Sequence, residues 1–484
     1  MTRTHLFPQL TLTVVTLVGL TVTSPPLLNP LAVSPVFAQT QDTSEAEANR
    51  LYQQGIQQIQ RGQILEAIES WQKALFISQE IGDRQGEAKS LVALGAAYSS
   101  LSQHEKAIEF FQQAFPIYQE IGNKQGEAYS LMNLGLAYDN ISQHEKAIEF
   151  LQRALSISQE IGDRRGVAGS LINLGNAYRN LSQYEKALEL YQQGLPIFRE
   201  IGNRQFIADL LNNFGVVYKN LSQHQKALEM YEQALSIYQE IGDRQGKAKS
   251  LNNVGDVYNS LSQHDKALEL YQQALSIYQE IGNKQGEATT LDNLGLAYRA
   301  LGQEQKAREL FEESLPVFQE IGDKKGEADS LNNLGVLYGS LTQYDKAIEL
   351  LQQALSIYQE IGDRQGEAKS LNNLGLSYSS LSQYQRAIDF HQQSLSIKRG
   401  IGDHAGVASS LNNLGILYWT LTQYDKALEV FQQSLSIYQE IGNRQGEAKS
   451  LYNLGLAYRA LGQEQKAREF LEESQAIKQE IGID

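Results

Sequence analysis

The sequence predicts an all-α fold, a right-handed superhelical solenoid of antiparallel helix pairs, on three observations. A glycine recurs every 40 residues from Gly55 to Gly455, and an alanine recurs at the same interval from Ala67 to Ala467. Each interval also contains two segments whose apolar residues are three or four positions apart. A fixed period in this range indicates a solenoid, in which each unit buries its apolar face only against its neighbours. Such a fold favours binding as the function.

The first 38 residues do not share the period and have the pattern of a secretory signal. They begin with Arg3 and His5, continue through an apolar, threonine-rich run at 10–22, and end in a Val-Phe-Ala sequence at Ala38. A basic start, a short apolar stretch and small residues near the end predict cleavage after Ala38. The run is shorter than the roughly 20 residues that span a bilayer. We therefore expect export to a bacterial periplasm or to the extracellular space, with an uncleaved anchor or tail as the alternative.

Residues 39–44 are expected to form a short linker, and residues 45–484 hold eleven units of 40 residues. The chain has 41 Lys and Arg against 56 Asp and Glu, for a net charge of −15. An acidic surface repels phosphate backbones, so nucleic acid is not an expected partner. Cysteine is absent, which excludes disulfides, thiolate metal sites and a cysteine nucleophile.

The unit from Asp243 to Gly282 illustrates the two helices of each period. The first, called helix A, has apolar or small residues at Ala248, Leu251, Val254, Gly255 and Tyr258. The second, called helix B, has them at Ala267, Leu270, Tyr271, Ala274, Ile277, Tyr278 and Ile281. This spacing places the apolar residues of each helix on one face.

The ends of the helices carry their own signals. Gly282 and its equivalents stand where the C-terminus of helix B needs a left-handed residue, and Asp or Asn follows as the expected N-cap of the next helix A. Ser262 with Asp265, like Ser142 with Glu145, has the spacing of an N-cap box for helix B.

The glycine inside helix A predicts a close contact between helices. Glycine in a helix is worse than alanine by roughly 0.5 to 1 kcal/mol, so its recurrence in every unit indicates a geometric role. The alanine twelve residues later, such as Ala267 after Gly255, is the expected facing surface on helix B.

These residues resemble the tetratricopeptide repeat. The matching positions are Leu251, Gly255, Tyr258, Ala267, Tyr271 and Ala274. The usual unit has about 34 residues, and the extra residues here lengthen helix B and its exit, as in repeats similar to those of kinesin light chains and of the mitotic-spindle G-protein adaptors. The resemblance covers residues 45–484. It implies that the A helices line a concave wall, and that helix A asparagines contact a bound segment.

Asparagine stands two residues before the helix A glycine in nine consecutive units, at Asn133, Asn173, Asn213, Asn253, Asn293, Asn333, Asn373, Asn413 and Asn453. An asparagine side chain both donates and accepts, so this ladder can pair with the backbone of an extended peptide. Each such bond contributes only about 0.5 to 1.5 kcal/mol, so many would act together. The alternative is that the asparagines bond the backbone of the neighbouring unit and hold the curvature.

Selectivity would come from wall positions that differ between units, among them Arg179, Lys219, Trp419 and Tyr452. Trp419 and Tyr452 are expected to meet as an aromatic anchor, or else to pack against the adjacent unit. Arg179 and Lys219 lie one unit apart and can hold an acidic group of the ligand, or else are scattered surface charges.

No phosphate-binding glycine loop, nucleophile elbow or metal-spaced histidine cluster is present. His104, His144, His224 and His264 share one repeat position, which tyrosine fills in other units, so they are interpreted as packing variants. The chain is therefore not expected to be an enzyme or to hold a metal or cofactor.

The expected function is a non-catalytic scaffold that binds an extended peptide segment or a partner protein in the concave groove. A self-associating structural or spacer protein of the cell envelope is the alternative. The identity of the protein or peptide partner is not predicted, and no membrane span is expected after signal cleavage.

Overall fold

A computed structural model describes residues 35–101 and 103–482, where the chain forms 22 helices and no strand. The A helices are α1 (Pro35–Gln60), α3 (Arg84–Ser100), α5 (Lys124–Asn140), α7 (Arg164–Asn180), α9 (Arg204–Asn220), α11 (Arg244–Ser260), α13 (Lys284–Ala300), α15 (Lys324–Ser340), α17 (Arg364–Ser380), α19 (His404–Thr420) and α21 (Arg444–Ala460). The B helices are α2 (Ile64–Ile81), α4 (His104–Glu120), α6 (His144–Glu160), α8 (Tyr184–Ile201), α10 (His224–Ile241), α12 (His264–Ile281), α14 (Glu304–Ile321), α16 (Tyr344–Glu360), α18 (Tyr384–Gly400), α20 (Tyr424–Glu440) and α22 (Glu464–Glu480).

The predicted all-α array of helix pairs is confirmed, with a difference at its start. Residues 39–44, predicted as a linker, lie inside α1. No proline or glycine interrupts the chain between Pro35 and the end of this segment, so nothing breaks the helix there. The predicted signal falls mostly on residues 1–34, outside the described part, and its cleavage after Ala38 stays a prediction.

The chain divides into two compact parts, and each is described by itself. We call residues 35–283 the N-terminal block and residues 284–482 the C-terminal block. In both blocks the A helices of neighbouring units contact one another, as α5 contacts α7 and α13 contacts α15. No B helix makes a comparable contact with the next B helix in the described ranges. The A helices therefore line the inner side of each block, and we call that side the A-helix wall.

The predicted caps of helix A and the predicted exit of helix B are confirmed. The Asp243 carboxylate accepts a hydrogen bond from the Gly246 backbone N–H at 2.9 Å, at the start of α11. Gly282 ends α12 with a φ of 69°, in the left-handed region that glycine adopts without strain. These contacts satisfy backbone groups that a helix end leaves unpaired.

The predicted N-cap box of helix B is wrong, because the serine belongs to the end of helix A. Ser262 has a φ of 56°, and the residue that precedes α12 is Gln263, whose side chain makes no capping bond. The Gln263 N–H instead donates to the Tyr258 carbonyl at 2.9 Å, and the Ser262 N–H donates to the Asn259 carbonyl at 3.0 Å. This is the hydrogen-bond pattern of a Schellman motif. Three other units place a left-handed glycine here: Gly62, Gly302 and Gly462.

Replacing Ser262 with glycine should therefore stabilise the chain. A left-handed conformation costs a non-glycine residue about 1–2 kcal/mol, and the greater freedom of glycine in the unfolded chain offsets roughly 0.5–1 kcal/mol of that gain. We expect a net gain of about 0.5–1 kcal/mol, seen as slower amide hydrogen exchange at the C-terminal end of α11. Ser262→Ala, which keeps the Cβ, is the control and should give no gain; equal gains in both variants would contradict the explanation.

The helix A glycine packs mainly against a ring, rather than against the predicted alanine. A Cβ on Gly255 would lie 2.6 Å from Cε1 of Tyr271, the residue sixteen positions later. Where that position holds leucine, the alanine contributes its backbone: a Cβ on Gly135 would lie 2.5 Å from Cγ of Leu151 and 3.1 Å from the Ala147 carbonyl. The missing side chain thus makes room for a large buried group between helices A and B.

Candidate functional site

The asparagine ladder of the C-terminal block ties neighbouring units together. The Asn373 amide donates to Oδ1 of Asn332 at 3.1 Å, and the Asn413 amide donates to Oδ1 of Asn372 at 3.1 Å. The Asn453 amide donates to Asn412 at 3.4 Å, and Asn333 donates to Asp292 at 3.4 Å. Each bond joins one A helix to the A helix of the preceding unit. At these four positions the asparagine bonds the neighbouring unit, as in the curvature alternative, but it bonds a side chain and not the predicted backbone.

Three of the four acceptors, Asn332, Asn412 and Asp292, are buried and make further hydrogen bonds. Asn332 also accepts from the Ser370 hydroxyl at 3.3 Å, and the Asn412 amide donates to the Ser450 hydroxyl at 3.0 Å. Asp292 accepts from the Ser330 hydroxyl at 2.6 Å. A second row of polar side chains therefore anchors the ladder beneath the A-helix wall.

The other ladder members make no such bond within the described ranges; they are Asn133, Asn173, Asn213, Asn253 and Asn293. All five are half-buried, and the Asn253 amide nitrogen is buried without a hydrogen-bond partner. A peptide-binding role for the ladder stays a prediction. In the N-terminal block none of the ladder amides donates to the preceding unit within the described ranges.

The predicted cation pair is not free to hold a ligand as a pair. Lys219 Nζ lies 2.9 Å from Oδ2 of Asp256, in the next unit, and about a quarter of each side chain is exposed. The other carboxylate oxygen of Asp256 accepts from the Tyr271 hydroxyl at 2.9 Å. Arg179 donates to the neighbouring Asn180 at 3.3 Å. Lys219 is thus neutralised within the wall, and sequence spacing alone did not reveal its partner.

Four large apolar side chains are exposed on A helices of the C-terminal block: Leu376 at 46%, Ile416 at 41%, Trp419 at 40% and Tyr452 at 46%, the last at the repeat position where Asn332 and Asn412 are buried. They lie on α17, α19 and α21, and we call them the apolar strip. The Trp419 and Tyr452 rings do not form the predicted aromatic pair in this part of the chain. Tyr452 instead lies beside Lys478, whose Nζ is 5.9 Å from the ring centroid.

Sequence reasoning named Trp419 and Tyr452 but missed Leu376 and Ile416. A signal for both was present, because each directly follows a helix A glycine. At that position the N-terminal block has polar residues in two units, Asn176 and Asp256, whereas the C-terminal block has only apolar ones: Leu296, Val336, Leu376, Ile416 and Leu456.

The surroundings of the apolar strip carry unpaired positive charge. Helix α19 contains no Asp, Glu, Lys or Arg. The acids of α17 and α21, Glu367 and Glu447, are buried and paired with Arg364 and Arg444. Lys449 and Arg459 on α21 are exposed, and neither forms an ion pair in the described ranges. Lys369 on α17 is exposed too, and its Nζ is 3.9 Å from the Asp329 carboxylate.

Two buried ionisable groups of the C-terminal block replace the usual residue of the repeat. Asp292 stands where five other units have asparagine, and burial raises the pKa of its carboxyl to about 6 although three hydrogen bonds oppose the shift. His391 stands where other units have Tyr, Phe, Leu or Trp beside the helix A glycine, and burial lowers the pKa of its imidazole to about 4, with Lys398 adding to the shift.

No group of three or more His, Cys, Asp or Glu side chains among the described residues is placed to hold a metal ion. Among the same residues no helix has the length and hydropathy to cross a bilayer.

Comparisons with known proteins agree with this geometry. The tetratricopeptide-repeat profile matches residues 46–120, 126–200, 206–280, 247–320, 286–360, 326–400, 366–440 and 406–480. No curated protein matches the chain.

Two solved structures with TM-scores of at least 0.50 share the fold. A Rap protein complexed with competence and sporulation factor is 15% identical, over 75% of this chain and 99% of that one, with a TM-score of 0.52. The apo quorum sensor NprR from B. thuringiensis is 15% identical over the same shares, with a TM-score of 0.50. Repeats of a putative kinesin light chain from Podosopora anserina are 25% identical over 40% of this chain and 95% of that one, with a TM-score of 0.35.

Proposed function

We propose that this chain, which belongs to the tetratricopeptide-repeat family, is a non-catalytic scaffold that binds an extended segment of a partner protein along the A-helix wall of its C-terminal block. The observation that carries the proposal is the apolar strip. Large apolar side chains left exposed together on one surface mark binding sites more often than scattered ones do. Aromatic residues such as Trp419 and Tyr452 are also the side chains that most often dominate interface energies.

The state of the asparagine ladder supports the same choice of surface. In the C-terminal block four ladder amides donate to the preceding unit, which leaves the A helices joined to one another. A wall held in place before binding loses less conformational entropy when a ligand arrives. The ladder would then supply rigidity, and the apolar strip would supply contact.

A random peptide library displayed on phage tests the proposal with the purified chain. We expect peptides to be enriched, and we expect Ile416→Ala with Trp419→Ala to weaken their binding by about tenfold or more, as for hot-spot residues. Fluorescence anisotropy of a labelled selected peptide gives the affinity. Phe76→Ser is the control, because Phe76 is even more exposed but lies on α2 in the N-terminal block, where other units often have serine.

Circular dichroism would establish that the double variant keeps its helices. Unchanged affinity in a folded double variant would contradict the proposed site. Export of the mature chain is also a proposal, supported only by the pattern of residues 1–38.

A further inference from the structure

We infer that the segment recognised by the apolar strip carries acidic side chains beside its apolar ones. This inference rests on the proposed function and specifies the chemistry of the partner. The chain as a whole has a net charge of −15. The exposed charges beside the apolar strip on α17 and α21 are nevertheless positive, namely Lys369, Lys449 and Arg459.

The acids close to the strip are not available to repel such a partner. Glu367 and Glu447 are buried against arginines of their own helices. Helix α19, at the centre of the strip, has no Asp, Glu, Lys or Arg, and its one histidine is His404 in the first turn. Asp329 is the nearest acid on α15, and it accepts from the Tyr358 hydroxyl at 2.6 Å and lies 3.9 Å from Lys369 Nζ.

The cations are placed to act together with the apolar side chains. Lys449 precedes Tyr452 by three residues on α21, so the two side chains lie on the same face of that helix. Arg459 occupies in its unit the position that Trp419 occupies in the preceding one. A segment whose apolar residues contact α17 and α19 would therefore meet both cations where it crosses α21.

The N-terminal block shows that an exposed, unpaired cation is not simply what this repeat provides. At the position of Arg459 it has Lys219, which pairs with Asp256 in the next unit at 2.9 Å, and Arg179, which forms no ion pair in the described ranges but is half-buried. Arg459 is exposed and forms no ion pair in the described ranges. Charge complementarity of this kind raises the rate of association and discriminates against partners of the wrong sign.

The test compares peptides from the random library on four proteins: the wild type, Lys449→Glu with Arg459→Glu, Ile416→Ala with Trp419→Ala, and Lys249→Glu. Lys249 holds the position of Lys449 in the N-terminal block and is equally exposed, so its reversal is the matched control. We expect wild-type selections to be enriched in Asp and Glu next to aromatic or aliphatic residues. Their affinity should fall about tenfold in the charge-reversed variant, and it should fall as salt is raised, because exposed charges are screened.

The outcomes separate the inference from the proposed function. Neutral or basic apolar peptides that need Ile416 and Trp419 but ignore the charge reversal would overturn the inference and keep the site. Peptides insensitive to both double variants would overturn both. Concentration-dependent dimerisation that is lost in Ile416→Ala with Trp419→Ala would identify a second copy as the occupant and would also overturn the inference. An equal loss of affinity in Lys249→Glu would also overturn the inference, because it would show that affinity responds only to the total charge of the chain.

Discussion

Asp292→Asn is expected to stabilise the C-terminal block above about pH 6 and to have little effect near pH 4. Burial raises the pKa of this carboxyl from 3.8 to about 6, so the folded chain favours its neutral form. The stability that this carboxyl contributes is complete at pH values below its pKa in the unfolded chain, and it is lost as the pH rises through about 6. A shift of roughly two units corresponds to about 3 kcal/mol at most.

Asparagine is a natural replacement, because Asn332, Asn372 and Asn412 occupy the same position in the following units. We expect a gain of about 2–3 kcal/mol at about pH 8, set by removing the buried charge. The measurement is amide hydrogen exchange in α13 and α15, compared between variant and wild type at one pH at a time. Asp329→Asn is the control, since Asp329 is an acid of the same block that is half-buried. The explanation would be contradicted if Asp292→Asn slowed exchange relative to wild type more at pH 4 than at pH 8.

His391→Phe is expected to have the opposite pH dependence. Burial lowers the pKa of the imidazole from 6.5 to about 4, so the folded chain disfavours the charged form. Stability is therefore lost as the pH falls from about 6.5 towards 4. The wild type should lose about 3 kcal/mol of local stability over that range, and the variant should not.

Phenylalanine fits the site, because Phe311 and Phe431 pack against the equivalent glycines in other units. The His391 Nδ1 atom is buried without a hydrogen-bond partner, so the variant should also be somewhat more stable at neutral pH. Hydrogen exchange in α17 and α18 measures both effects. His404→Gln, on α19, is the control because His404 is exposed. Persistence of the acid-induced loss in His391→Phe would assign it to another group.

The fold could be predicted from the sequence because each feature that indicates a helix or a helix end recurs in many units. Gly282 and Asp243 predict a helix exit and an N-cap, and the structure places both as predicted. The N-cap prediction for Ser262 is wrong because serine is a preferred N-cap residue, whereas the left-handed residue after a helix is usually glycine and sometimes asparagine. The glycines at the same position in three other units, such as Gly302, carried the information that would have decided between the two.

The candidate site was less predictable, because it depends on contacts between units. Whether Asn373 faces a ligand or the preceding unit depends on a bond to Asn332, 41 residues earlier. The sequence does not show that Lys219 has a partner, because Asp256, whose Oδ2 lies 2.9 Å from Lys219 Nζ, is 37 residues later in the chain. Trp419 and Tyr452 could be singled out by their difference from other units, whereas their exposure and their lack of mutual contact required the helix geometry.

The most direct test of the proposed binding surface is photo-crosslinking of a selected peptide to the purified chain. A photoreactive amino acid is placed at position 416, on α19, or at position 216, which is the same helix position on α9 in the N-terminal block. Crosslinking at 416 with little at 216 is the result we predict. Crosslinking at 216 with none at 416 would show that the apolar strip of the C-terminal block is not where the partner binds.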